Sequence, residues 1–165
     1  MRKFRDLLLE LLVGIPLFIL IVPIIIIFLL FAYFQRKKFK KRYAGFLKAN
    51  NGKNFFCYNN RRNSKKYIEE NILPSLDNRI EIIYLNGRII KSEYEAEFVS
   101  AALYGLNHYN KFPHLMKIRD GELIDKSVNN PFYGVLNMNK SKKELLNKIN
   151  MFFELDVIKV LPSKT

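Results

Sequence analysis

Pro113-His114-Leu115-Met116-Lys117-Ile118-Arg119-Asp120-Gly121-Glu122-Leu123 is the stretch on which the fold reading turns. Asp-Gly between two apolar runs is the strongest local hairpin signal, because both residue types accept the positive φ of a two-residue turn. The stretch therefore predicts two antiparallel strands, the first led by Pro113 and the second returning through Glu122-Leu123-Ile124-Asp125. Downstream, Ser141-Lys142-Lys143-Glu144 has the form of a capping box. It predicts a helix whose apolar stripe is Leu145, Ile149, Phe152 and Phe153.

Upstream, strand and helix signals alternate. Asn54-Phe55-Phe56-Cys57-Tyr58, stopped by Asn59-Asn60, reads as a buried strand. A helix follows from Ser64, with Ile68, Ile72 and Leu76 recurring every four residues until Pro74 and Asp77-Asn78 break the pattern. Ile80–Leu85 (IEIIYL) is the next strand. The Asn86-Gly87 pair behind it is read as a boundary, with a hairpin into Arg88-Ile89-Ile90 as the alternative. Ser92-Glu93-Tyr94-Glu95 reads as another capping box, starting a helix with Tyr94, Phe98, Ala102 and Leu106 on its apolar stripe. Capping and the helix dipole account for Glu93, Glu95 and Glu97 without a metal or acid/base role. Strand, helix, strand, helix, hairpin, helix implies right-handed crossovers within one sheet, an α/β sandwich.

Over residues 54–154 this succession resembles the thioredoxin family, in which a proline, cis in that family, leads the strand before a tight turn and its antiparallel partner. The resemblance implies a thioredoxin-like sandwich with a cis Pro113. It also implies a groove where backbone beside that proline pairs with an extended segment of another protein, a form of β-augmentation. Where the family carries Cys-x-x-Cys, at the entrance to the first helix, this chain has Arg61-Arg62-Asn63-Ser64. Arg61, Arg62, Asn63, Ser64, Phe112 and Pro113 are therefore the candidate partner-binding residues, with an acidic peptide or phosphate the chemistry two arginines would attract.

The N-terminal segment belongs to a different solvent. Leu11–Phe34 is 24 residues without a formal charge, about 36 Å of helix against roughly 30 Å of hydrocarbon. It is longer than the apolar core of a signal peptide and ends in Gln35-Arg36-Lys37-Lys38 rather than in small residues, so an uncleaved single-pass anchor is expected. The organisation read is a basic tail (1–6), a transmembrane helix (7–35), a basic juxtamembrane segment and linker (36–53), the α/β domain (54–154) and a C-terminal tail (155–165). Arg36, Lys37, Lys38, Lys40, Lys41 and Arg42 outweigh Arg2, Lys3 and Arg5, which places the domain on the cytoplasmic side of the plasma (inner) membrane. Those six residues are also expected to lie against anionic headgroups, at about 1 kcal/mol per charge.

Net charge is 28 − 15 = +13, but residues 1–48 hold 10 basic and 2 acidic side chains and residues 49–165 hold 18 and 13. The excess sits mainly beside the apolar run, which favours a bilayer over nucleic acid as its partner. One cysteine excludes an internal disulfide or dithiol centre. Cys57, inside a strand, reads as an inert packed thiol, with a thiol-dependent or glutathione-using enzyme as the alternative function. His108 and His114 have no Cys or carboxylate at ligand spacing, and His114 reads as a solvent-facing strand end. No phosphate loop or nucleophile motif is present. The expectation is a membrane-anchored, redox-inactive, cofactor-free domain that binds or positions a partner protein.

Overall fold

The computed structural model describes residues 2–155, with side chains from Leu17 on; Met1 and residues 156–165 of the expected tails lie outside the described residues. The chain divides into two compact units, Met1–Ala44 and Gly45–Thr165. Helix α1 spans Arg2–Ala49 and is uninterrupted at Pro16 and Pro23. From Leu17 to Phe34 its large apolar side chains are exposed on every face, Phe18, Leu20, Ile27 and Phe28 among them. A helix in water keeps a polar face; one that is apolar all round needs an apolar surrounding. Its most apolar stretch has mean hydropathy 3.1, long and apolar enough to cross a membrane.

The second unit is a mixed five-stranded sheet with helices on both faces. The elements are β1 (Asn54–Asn59), α2 (Arg62–Tyr67), β2 (Ile80–Asn86), β3 (Ile89–Lys91), α3 (Ala96–Tyr104), β4 (His114–Arg119), β5 (Glu122–Ser127), α4 (Asn129–Met138) and α5 (Lys142–Phe153). The strand order is β3-β2-β1-β4-β5. β1 pairs parallel with β2 and antiparallel with β4, and both hairpins are antiparallel. β1 is buried from Asn54 to Tyr58, and alternation sends Phe56 and Tyr58 to one face, Phe55 and Cys57 to the other. Phe56 and Tyr58 join Ile68 and Ile72, Phe132 and Val135 of α4, and Leu145, Ile149 and Phe153 of α5 in one core. The opposite layer is α3, which buries Phe98, Val99, Ala102 and Leu103. The last turn of α1 contributes there too, Phe46 stacking on Phe98 at 4.9 Å.

The Asp120-Gly121 hairpin forms as expected, with Arg119 opposite Glu122 and φ of 53° and 75° at the turn residues. Ser141 caps α5, its hydroxyl accepting from the Glu144 amide at 3.4 Å. The Phe112–Pro113 bond is cis.

Three expectations are corrected, and one further element is found. The strand at Ile80 does not pass directly to a helix but turns back on itself, Asn86 pairing with Ile89 across Gly87-Arg88. Gly87 takes φ 63° at the first turn position, where a type II′ hairpin demands glycine. The helix expected from Ser92 begins at Ala96. The Ser92 hydroxyl instead accepts from the Tyr94 amide two residues on, and the Tyr94 ring packs edge-on against Phe55 while its hydroxyl donates to Glu81. α2 begins at Arg62 and loosens into a π turn (Ile68–Ile72) and a 3-10 turn (Leu73–Ser75), where Pro74 cannot donate to the preceding turn. The stretch between the hairpin and Ser141, where no element was expected, holds α4.

α4 is held chiefly by Phe132, 1% exposed, which meets Tyr67 edge-on at 6.1 Å. Phe132→Ala is expected to lower unfolding free energy by about 3–5 kcal/mol, read by urea titration of the full chain in detergent with circular dichroism. A loss below about 1 kcal/mol would show that α4 is not part of the core.

Candidate functional site

Arg61–Ser64 form the turn that leaves β1 and enters α2. The Arg61 amide donates to Asn59 Oδ1 at 3.4 Å, and the Ser64 hydroxyl donates back to the Arg61 carbonyl at 3.0 Å. Ser64 is thereby buried and used internally, whereas Arg61, Arg62 and Asn63 are exposed. These residues line one side of an open groove of about 380 Å3, and Tyr133, Leu136 and Asn137 of α4 line the other. A second groove, of about 450 Å3, lies between α2 and β2 and is bordered by Arg62, Lys65, Lys66, Glu69, Glu70 and Tyr84.

Phe112 and Pro113 are not walls of either groove. Pro113 is buried and Phe112 half-buried, its ring edge-on to His114 at 5.2 Å. The Phe112 carbonyl accepts from the Asn129 side-chain amide, and the Pro113 carbonyl accepts from the Val128 amide at 3.0 Å. The chain's own residues thus occupy both acceptors. Of the six candidate residues, the structure brings four to one groove, and the wall facing them comes from the helix the sequence reading missed.

His114 corrects a further expectation: it is 0% exposed rather than solvent-facing. β4 sends His114, Met116 and Ile118 to the face opposite Leu115, under the α3 layer. Nε2 of His114 lies 2.6 Å from the His108 carbonyl, so it carries the hydrogen and donates. Nδ1 is buried without a partner, 3.9 Å from Asp125 Oδ2. The other Asp125 oxygen accepts from Asn107 Nδ2 at 3.1 Å. Burial lowers the His114 pKa; the His108 carbonyl and the Asp125 charge act in the opposite direction and recover part of the shift. Asp125 escapes a search by sequence spacing, but counting the ladder back from Asp120-Gly121 sets Asp125 opposite Met116, diagonal to His114.

Cys57 is also 0% exposed, and burial pushes its thiol well above the ordinary range. A nucleophilic thiol needs the thiolate and access; burial of Cys57 disfavours the first and closes the second. No group of three or more metal-ligating side chains occurs among the described residues. No family model, no curated protein and no solved structure matches the chain.

Native full-length protein in detergent is expected to leave Cys57 unmodified by maleimide, with labelling complete only in guanidinium. Rapid native labelling would restore the thiol chemistry. Stability should also fall as pH drops from about 7.5 to 5.5, since the unfolded chain takes up a proton near pH 6.5 that the buried imidazole resists. Asp125→Asn removes the nearby charge that opposes this shift and should steepen the dependence. Urea midpoints across that range test both, and a flat profile in both proteins would show that His114 does not titrate differently in the two states.

Proposed function

We propose that the chain is a single-pass membrane protein whose C-terminal unit is a redox-inactive, thioredoxin-like module that binds and positions a partner protein at the membrane. The observation that carries this is the ladder: β1 parallel to β2, antiparallel to β4, and β4 turned into β5 behind Pro113. That is the arrangement the family resemblance implies for residues 54–154. The added β3 hairpin and α4 are departures from it. Arg61-Arg62-Asn63-Ser64 stands where thiols would be needed, and the only cysteine is sealed in β1. With exchange chemistry removed, recognition is what the scaffold retains.

α1 supports the anchor. Its uncharged length and basic flank favour retention over cleavage, and Arg36, Lys37, Lys38, Lys40, Lys41 and Arg42 favour a cytoplasmic module with those residues against anionic lipid. Nucleic acid is disfavoured, because this cluster sits beside the bilayer segment.

The full chain, tagged after Thr165 and extracted from membranes after in-cell crosslinking, is expected to appear at uncleaved mass. The tag should resist protease added to intact cells, and one companion should be recovered equally with wild type and Cys57→Ala. Absence of a crosslinked companion, or disulfide reductase activity that disappears in Cys57→Ala, would overturn the reading. Cleavage of the tag would reverse the topology alone.

A further inference from the structure

The two grooves that flank the start of α2 use their charge differently. In the groove toward β2, Lys65 and Lys66 face Glu69 and Glu70 one turn on, at 3.8 and 4.0 Å. Lys65 also lies 5.1 Å above the Tyr84 ring. In that groove each lysine has a carboxylate partner, and Arg62, which borders both grooves, has none. The groove toward α4 has no carboxylate among its walls, and neither Arg61 nor Arg62 forms an ion pair with another described residue. Its far wall is apolar: Tyr133 and Leu136 rest on the core with their inner sides and border the groove with the rest. Asn63 and Asn137 add amide groups.

A small inorganic anion would engage the guanidinium groups and leave the apolar wall in water. A neutral apolar ligand would cover that wall and desolvate two cations without compensation, which is costly. A peptide carrying an apolar side chain between carboxylates satisfies both, since a guanidinium takes a carboxylate through two parallel hydrogen bonds. At about 380 Å3 the groove is near the lower limit of ligand sites, room for one anchoring side chain and its flanks.

We propose that this groove binds an acidic peptide segment of the partner, with an apolar side chain set against Tyr133 and Leu136 and flanking carboxylates on Arg61 and Arg62. The inference rests on the partner-positioning reading above and names the chemistry of the recognised segment.

The test uses the full chain in nanodiscs of phosphatidylcholine, so that no anionic lipid competes. The probe is a short fluorescein-labelled peptide with a central phenylalanine between aspartate and glutamate residues. Saturable binding is expected, weakened about tenfold or more by Arg61→Glu with Arg62→Glu and several-fold by Tyr133→Ala. Lys66→Gln, a single exposed change in the other groove, should change it less than about twofold. The arginine pair is exposed and circular dichroism should be unchanged in its variant, so lost binding is not lost folding. Equal affinity for the same peptide with alanine at the centre would reduce the site to a simple anion site and overturn the proposal. So would undiminished binding in the arginine variant, or arginine-dependent binding of phosphatidylserine vesicles in place of the peptide. If the crosslinked companion of the previous section is retained by the arginine variant, the groove fails while the partner reading stands. If no companion exists but the peptide binds as described, the groove stands and that reading fails.

Discussion

Burial of β1 on both faces is the constraint from which the second unit follows. Five consecutive residues, Asn54 to Tyr58, are closed to solvent, so each face of the sheet needs a helical layer. The parallel β1–β2 pair cannot be joined by a tight turn, and its crossover has to travel over one face. That crossover is the α2 segment, which brings Ile68 and Ile72 onto Phe56 and Tyr58. The second crossover, α3, buries Phe98, Val99, Ala102 and Leu103, and Cys57 lies fully buried on the face opposite Phe56.

Polar groups follow from where the layers end. At the end of α5, the Lys117 ammonium reaches the Glu154 carboxylate and lies 5.1 Å over the Phe152 ring, so a nearly buried cation is satisfied. At the opposite end of β4, His114 has one nitrogen bonded and one orphaned. Between α2 and α4, the absence of any facing carboxylate leaves two guanidinium groups in water beside an apolar wall. The last arrangement costs little in the free molecule, because exposed arginines stay hydrated.

Local signals were legible wherever one residue pair dictates backbone geometry. Asp120-Gly121 and Ser141 gave the second hairpin and α5 without ambiguity. Asn86-Gly87 carried the same kind of signal, but a strand of only three residues, Ile89–Lys91, offered too little alternation to support it. Ser92 and Glu95 matched a capping pattern that the Tyr94 ring overrides by packing on Phe55, a tertiary preference invisible to spacing. α4 carries loop punctuation, Asn129, Asn130, Pro131 and Gly134, although Phe132, Val135 and Leu136 keep helical spacing. Pro131 is tolerated because amides in a first helical turn have no partner to lose. Half of the candidate groove therefore lay in a segment with no legible element, while Arg61–Ser64 were found through the pattern they interrupt.

The sheet's two margins carry a further meaning. One is β3, three residues long, and the other is β5, where Glu122 on one side and Asp125-Lys126 on the other flank Leu123-Ile124. Open strand margins invite another copy to add on, and short or charged margins discourage it. Both margins thus carry features that oppose the edge-to-edge addition of a further strand.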